Sequence, residues 1–265
     1  MNALSTPGFH VRTDVTNPGQ FFACCGLLEL ASRLNKEARG VFGPGNFSVS
    51  NAPSITALVQ SICEAELVRL DDQDLTASPI LLSGPFSLRL DWWKSADRAN
   101  SDLKVWAGRM DSFRIARAMQ NAMRDPAFAT GELLDVCKVA YDPDDPSKKT
   151  EPFYFDSRRG PNAHSRDIGF APNDLDFTTI ASPAVELLCL IGLQRTRPVR
   201  TDEPRVFEYS VWNRPLPSDL SPVAAAGMLP GFSGERFKFE SWFRTGQRKH
   251  KAFLPAKSIN PKPIH

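Results

Sequence analysis

Residues 153–170 read Phe-Tyr-Phe-Asp-Ser-Arg-Arg-Gly-Pro-Asn-Ala-His-Ser-Arg-Asp-Ile-Gly-Phe, an aromatic, strand-like run followed by a Gly/Pro/Asn loop. The loop carries Arg158, Arg159, His164, Arg166 and Asp167. A guanidinium presents a rigid fork of five donors, so three arginines within nine residues cannot all be buried without partners. Either they pin the loop to nearby carboxylates, or they face an anion, for which phosphate is the best chemical match. A catalytic alternative uses the same stretch. His164 with Asp156 and Asp167 has the composition of a phosphodiester-cleaving site, the arginines holding the phosphate. The plain reading of those residues is a polar loop whose aspartates pair with Arg158, Arg159 or Arg166.

Other chemistries find little support in the residue pattern. The chain lacks a phosphate-binding Gly-rich loop, a paired-histidine zinc helix and a nucleophile elbow. Gly43-Pro44-Gly45 reads as a turn, and Asp144-Asp145 beside Pro146 reads as a solvated turn rather than a metal site. Cys24, Cys25, Cys63, Cys137 and Cys189 are scattered without a Cys-x-x-Cys pair, and His10, His164, His250 and His265 do not stand at ligand spacing. No cofactor or metal is expected, and the cysteine usage suits a reducing cytoplasm. Neither a signal segment nor a membrane span is apparent: the longest apolar run, Val185–Leu193, is interrupted by Glu186.

Two further features could meet a polyanion. Residues 102–124 are expected to form a helix. At ~100° per residue, Val105, Ile115, Met119, Ala122 and Met123 share its core side. Arg109, Arg114, Arg117, Gln120, Asn121 and Arg124 share another side, interleaved with Trp106, Met110 and Phe113. The second feature is the C-terminus. From Arg236 onward eight Lys/Arg stand against one acid, a charge of +7, which leaves −5 on the rest of a chain of net +2. Arg248, Lys249 and Lys251 are its candidate phosphate contacts. Aromatic faces such as Trp106 could stack on bases, while the Trp92-Trp93 pair reads as core sooner than as a stacking platform.

The elements that position these residues are legible in part. With 265 residues, 42% hydrophobic and 23% charged, the chain can bury a full core. Asn17 is a good cap and Pro18 a good first residue for a helix reaching about Lys36, with small Cys24, Cys25 and Gly26 permitting close approach of another backbone. Helices are also expected from Ser54 to about Val68, over Gly131–Ala140 and over Ser182–Gln194. Strands are expected over Gly8–Asp14, Phe47–Ser50, Leu81–Asp91, Arg205–Trp212 and Arg236–Arg244. In the last, Phe237, Phe239 and Phe243 would share one face and Arg236, Lys238 and Arg244 the other. Tyr141–Lys149 reads as a linker. The order of elements lacks a βαβ rhythm, so the expected class is α+β with short, mainly antiparallel sheets. The expected organisation is an N-terminal lobe over 1–145, a C-terminal lobe with the arginine loop over 146–244, and a basic tail over 245–265.

Two stretches taken together resemble a known family. Thr16-Asn-Pro-Gly-Gln-Phe-Phe-Ala-Cys-Cys-Gly-Leu-Leu-Glu-Leu-Ala31 and Phe155-Asp-Ser-Arg-Arg-Gly160 with Asp167-Ile-Gly-Phe-Ala-Pro-Asn-Asp-Leu175 are similar to CRISPR-associated subunits of the type I-U (I-G) system. These include the short Csb-three group and longer relatives that act as the large subunit of the Cascade surveillance complex. The resemblance implies a non-catalytic part of a crRNA-guided, DNA-targeting antiviral complex, with other effector subunits as neighbours and cutting left to a separate helicase-nuclease. It implies contact with crRNA or target DNA through phosphate and shape, while base pairing carries the sequence. The chain is short for a large subunit, which favours a structural or DNA-holding role over reading a PAM.

Overall fold

The computed structural model describes residues 8–94, 102–107, 110–158, 180–244 and 250–259. The first strand, β1 (Phe9–Arg12), leads into α1 (Pro18–Leu34), whose cap Asn17 accepts a hydrogen bond from the Gly19 amide. A hairpin follows, β2 (Arg39–Gly43) and β3 (Asn46–Ser50), turning at the Pro44-Gly45 step; the three strands form an antiparallel sheet in the order β1-β3-β2. Ser54 caps α2 (Ile55–Glu64), after which β4 (Leu67–Arg69), β5 (Ile80–Leu82) and β6 (Leu88–Leu90) make a small antiparallel sheet. Then come α3 (Ser112–Ala122) and a hairpin of β7 (Ala140–Asp142) and β8 (Asp145–Thr150).

The last third contains α4 (Pro183–Arg195), β9 (Val199–Arg200), β10 (Val206–Trp212), α5 (Ser221–Ala225), β11 (Ser233–Phe243), β12 (Lys251–Phe253) and β13 (Lys257–Ser258). These strands form an antiparallel sheet in the order β12-β11-β10-β9, with β13 on β11. Every strand pairing among the described residues is antiparallel, and the class is α+β.

At the centre α1 and α4 lie against each other at backbone contact. A Cβ at Gly26 would stand 2.2 Å from the Leu188 carbonyl oxygen, and one at Gly192 would stand 1.9 Å from that of Phe22. Only hydrogen fits at either position. Both helices are buried on nearly all sides, which explains why neither shows a clear apolar stripe. One hydrophobic core runs across the boundary expected at 145/146. In it, Phe21 and Phe22 of α1 pack on Tyr209 of β10, and Phe42 packs on Trp212. A second aromatic group, Trp92, Trp93, Trp106, Phe153 and Phe155, sits under the root of the arginine loop. Trp92 and Trp93 are thus core, their indole nitrogens donating to the carbonyls of Leu190 and Ala77.

Several expectations are corrected. The third helix starts at Ser112 rather than near Asp102, because Asp111 caps it by accepting from the Phe113 and Arg114 amides. Residues 102–107 are not helical; there Val105 accepts from the Lys251 amide and the Trp106 indole donates to Thr76. The second helix ends at Glu64, since Leu67–Arg69 pairs with β5. The Gly131–Ala140 stretch is turns instead of helix, and the supposed linker 141–149 is the β7–β8 hairpin. Residues 250–259 are not a tail. Phe253 is fully buried against Phe155 and Phe239, and β12 and β13 both pair with β11. Among the described residues, no helix is long and apolar enough to cross a membrane.

Candidate nucleic-acid interface

The N-terminal stretch that carries the family resemblance meets residues 155–158 of the second stretch at the root of the arginine loop. Asn17 is its pivot. The Asn17 Oδ1 accepts from the amides of Gly19 and Ser157, both at 3.1 Å, while Nδ2 donates to Asp156 Oδ1 at 2.8 Å. Gly19 lies so close to the loop that a Cβ there would stand 2.3 Å from the Phe155 carbonyl oxygen. Gln20 accepts from the Asp14 amide at 2.7 Å and reaches the Leu134 carbonyl at 3.5 Å. The residue types at Asn17 and Gly19 are therefore set by a segment more than a hundred positions away.

Asp156 is fully buried. Its carboxylate accepts from Arg158 Nε at 2.9 Å and Nη2 at 2.7 Å, a two-pronged clamp of the kind arginine forms best. Arg158 also donates to Asp135 at 3.0 Å and to the Leu134 carbonyl at 2.8 Å. Burial works against its charge, but the hydrogen bond and charge of Asp156 outweigh it and raise its pKa. Of the two alternatives open to the loop arginines, Arg158 takes the first. Expected at a phosphate, it is instead engaged by carboxylates inside the protein, because Asp156 would otherwise be an unpaired buried charge.

Beneath this clamp lies Glu186 in the first turn of α4, fully buried. Its two oxygens accept from the backbone amides of Tyr154 (2.9 Å), Phe155 (3.2 Å) and Asp156 (3.0 Å). Three successive amides with no strand partner are thereby satisfied. Burial pushes the Glu186 carboxyl up to about 7 against the pull of those amides, and the Asp156 charge adds to the rise. Tyr154 holds a positive φ of 76°, uncommon for an aromatic residue. The Arg244 guanidinium lies 3.5 Å over its ring, and its hydroxyl bonds Glu151. Glu186 escaped the sequence reading of function; the signal was an acid alone in the first turn of an apolar helix.

The remaining candidates divide between positions. Arg109, Arg159, His164, Arg166, Asp167, Arg248 and Lys249 lie outside the described residues. Asp156, third member of the catalytic alternative, is enclosed by Asn17 and Arg158. On α3, Arg117 makes a bidentate pair with Asp144 at 2.9 and 3.1 Å, and just past the helix end Arg124 donates to the Cys63 carbonyl at 2.7 Å. Arg114, with a side chain 62% exposed, is the open one of these three and stands 3.7 Å from Asp111. Trp106 is buried and precedes this helix, while Arg117 lies over the Phe113 ring at 5.5 Å from its centroid, so only part of the expected arginine–aromatic face forms on α3. Lys251 donates to the Asp102 carbonyl from a half-buried position. Among the described residues, no group of three or more His, Cys, Asp or Glu is placed to hold a metal ion. Comparison with known proteins finds no matching family model, no matching curated protein and no matching solved structure.

Proposed function

We propose that this protein is a non-catalytic, nucleic-acid-contacting subunit of a type I-U crRNA-guided surveillance complex, acting in the cytoplasm in antiviral defence. The observation that carries the proposal is the interlock of Asn17 with Asp156 and Ser157 across 139 positions of sequence. The described part of the second stretch, residues 155–158, is hydrogen-bonded to the first, which supports reading the two as a single signature instead of two short coincidences. In this reading Asn17, Gln20, Arg158 and Glu186 hold the root of the loop, and Arg159 and Arg166 beyond it contact phosphate. Cutting belongs to another subunit.

The test is to tag the protein in its host, purify it gently and sequence the RNA that accompanies it. Uniform repeat–spacer RNAs with a few stoichiometric protein partners are expected. A folded, expressed protein that carries no such RNA overturns the proposal. Within a purified complex, Arg159→Ala should lower the slope of log affinity against log salt by roughly one phosphate contact, about 0.7–0.9. Arg159 is the right position because Arg158→Ala would strand the buried Asp156 and confuse binding with stability.

A further inference from the structure

At the far end of β11 the described residues assemble a further cationic surface. Arg205, at the entrance to β10, lies with its guanidinium 5.1 Å from the centroid of the Trp242 ring and 5.0 Å from that of Phe243. That guanidinium makes no hydrogen bond among the described residues, and its Nε is fully buried with no partner. Of the five donors of this guanidinium only the Nε is withdrawn from solvent, which leaves the Nη donors open to an outside acceptor. Its backbone is held at a positive φ of 64°, its carbonyl accepting from the Ser241 amide. Strain at an arginine that serves no ion pair among the described residues points to a residue placed for an outside partner.

Its neighbours extend the surface. Trp242 is 42% exposed, while the chain's other four tryptophans, Trp92, Trp93, Trp106 and Trp212, are exposed by 2% or less. Lys251 faces Phe243 across the β11–β12 pair, and Lys104 lies 5.3 Å over the buried Trp106 ring. Burial pushes Lys251 down to about 8, with Asp102 opposing and Arg205 reinforcing. Lys104 falls to about 8 as well, again mainly by burial, with Asp74 opposing and Lys251 reinforcing. Three cations thus feel one another in the order Lys104, Lys251, Arg205. The nearby acid Asp102 is already paired with Arg200.

We propose that Arg205, Trp242 and Lys251 form a platform for single-stranded nucleic acid, one base stacking on the exposed side of Trp242 and its phosphate meeting Arg205 and Lys251. The inference rests on the nucleic-acid reading above and adds where an unpaired strand would lie. Stacking on an aromatic ring beside cations suits unpaired bases and ignores their identity. A guanidinium already against the indole leaves its outward donors for phosphate.

The indole exposures supply the test. Unlabelled oligouridine and oligodeoxythymidine are titrated into the full chain at low salt while tryptophan emission is followed. Polarization of the same oligonucleotides, labelled, reports binding independently. Emission should fall saturably, and the fall should vanish in Trp242→Phe. Trp242→Ala and Arg205→Gly should each weaken binding by about tenfold, the scale of one stacked base. Glycine is chosen at 205 because it accepts the positive φ. Stronger quenching by one oligonucleotide identifies RNA or DNA as the strand held. Binding by polarization with unchanged emission, and with wild-type affinity in both folded variants, overturns the platform and leaves the nucleic-acid reading standing. Absence of binding to either oligonucleotide by the folded chain overturns the platform; the RNA sequencing above then decides the broader reading separately.

Discussion

Glu186 shows how a single side chain can hold a loop root and tie it to pH. Its carboxylate answers three amides but sits where water cannot reach, and burial wins, lifting its pKa from 4.5 to about 7. The folded protein therefore keeps a proton on Glu186 between those values that the unfolded chain has released. The stabilisation this residue contributes is complete below pH 4.5 and is lost as pH rises through about 7. Asp156 reinforces the effect, and the Arg244 and Cys189 side chains also feel the Glu186 charge. Denaturant unfolding of wild type and Glu186→Gln across that range should show their stability difference drifting by about 3 kcal/mol. Parallel profiles would show that Glu186 does not titrate there. The arginine loop itself was legible as a charged segment, but not the allegiance of Arg158. Sequence places Asp156 two residues away, yet only the fold shows that Asp156 is buried and that Asp135 and Leu134 complete its clamp.

Among the elements, the contact between α1 and α4 sets the geometry on which Asn17 and Glu186 depend, since each sits at the start of one of these helices. Gly26 and Gly192 let the two backbones touch. Helix propensity alone predicts that Gly192→Ala stabilises α4 by about 1 kcal/mol. The added methyl would instead meet the Phe22 carbonyl oxygen and Gly26 nitrogen, neither of which can move without shifting α1. The expected result is a net loss of about 2–3 kcal/mol in denaturant unfolding, in the range of overpacked cores. A stabilised variant would mean that the helices stand further apart than described. The small residues of α1 made this approach legible from sequence, as did the Asn-Pro and Ser-Pro helix starts, because capping chemistry is local. The start of α3 was not. Val105 and Trp106 fit a helical period, but they are buried by strand β12 and the Thr76 loop, contacts formed across long sequence distances. The β7–β8 hairpin was missed for a related reason: its outer strand reads Asp-Pro-Ser-Lys-Lys-Thr, almost wholly exposed and without an apolar alternation to reveal it.

For the molecule as a whole, the charge count along the chain overstates the free positive charge at its C-terminal end. Arg236 pairs with Glu208 at 2.6 Å, Lys238 with Glu203, and Arg244 lies over Tyr154. What the linear pattern presented as a detachable basic arm is, over residues 250–259, the closing edge of the largest sheet. The Lys/Arg count reads this segment as a tail, yet the Ala252-Phe253-Leu254 run within it carries the packing. Phe253 lies 5.2 Å from Phe155 and 5.0 Å from Phe239, centroid to centroid, joining the loop root to the sheet. The Leu254 amide donates to Glu240, and the Ala256 amide donates to Thr16, next to Asn17. A true tail could be removed without consequence for folding, whatever the loss in binding. A chain ending at residue 249 would lose a fully buried aromatic side chain, expose its cavity and free the edge of β11. Phe253→Ala alone should cost about 3–5 kcal/mol, and the truncation more. The truncated protein should therefore show no cooperative unfolding transition, or should be recovered only as aggregate. If it instead unfolded cooperatively within about 1 kcal/mol of the full chain, the spread of ordinary surface changes, the strands would be decoration and the basic segment an arm after all.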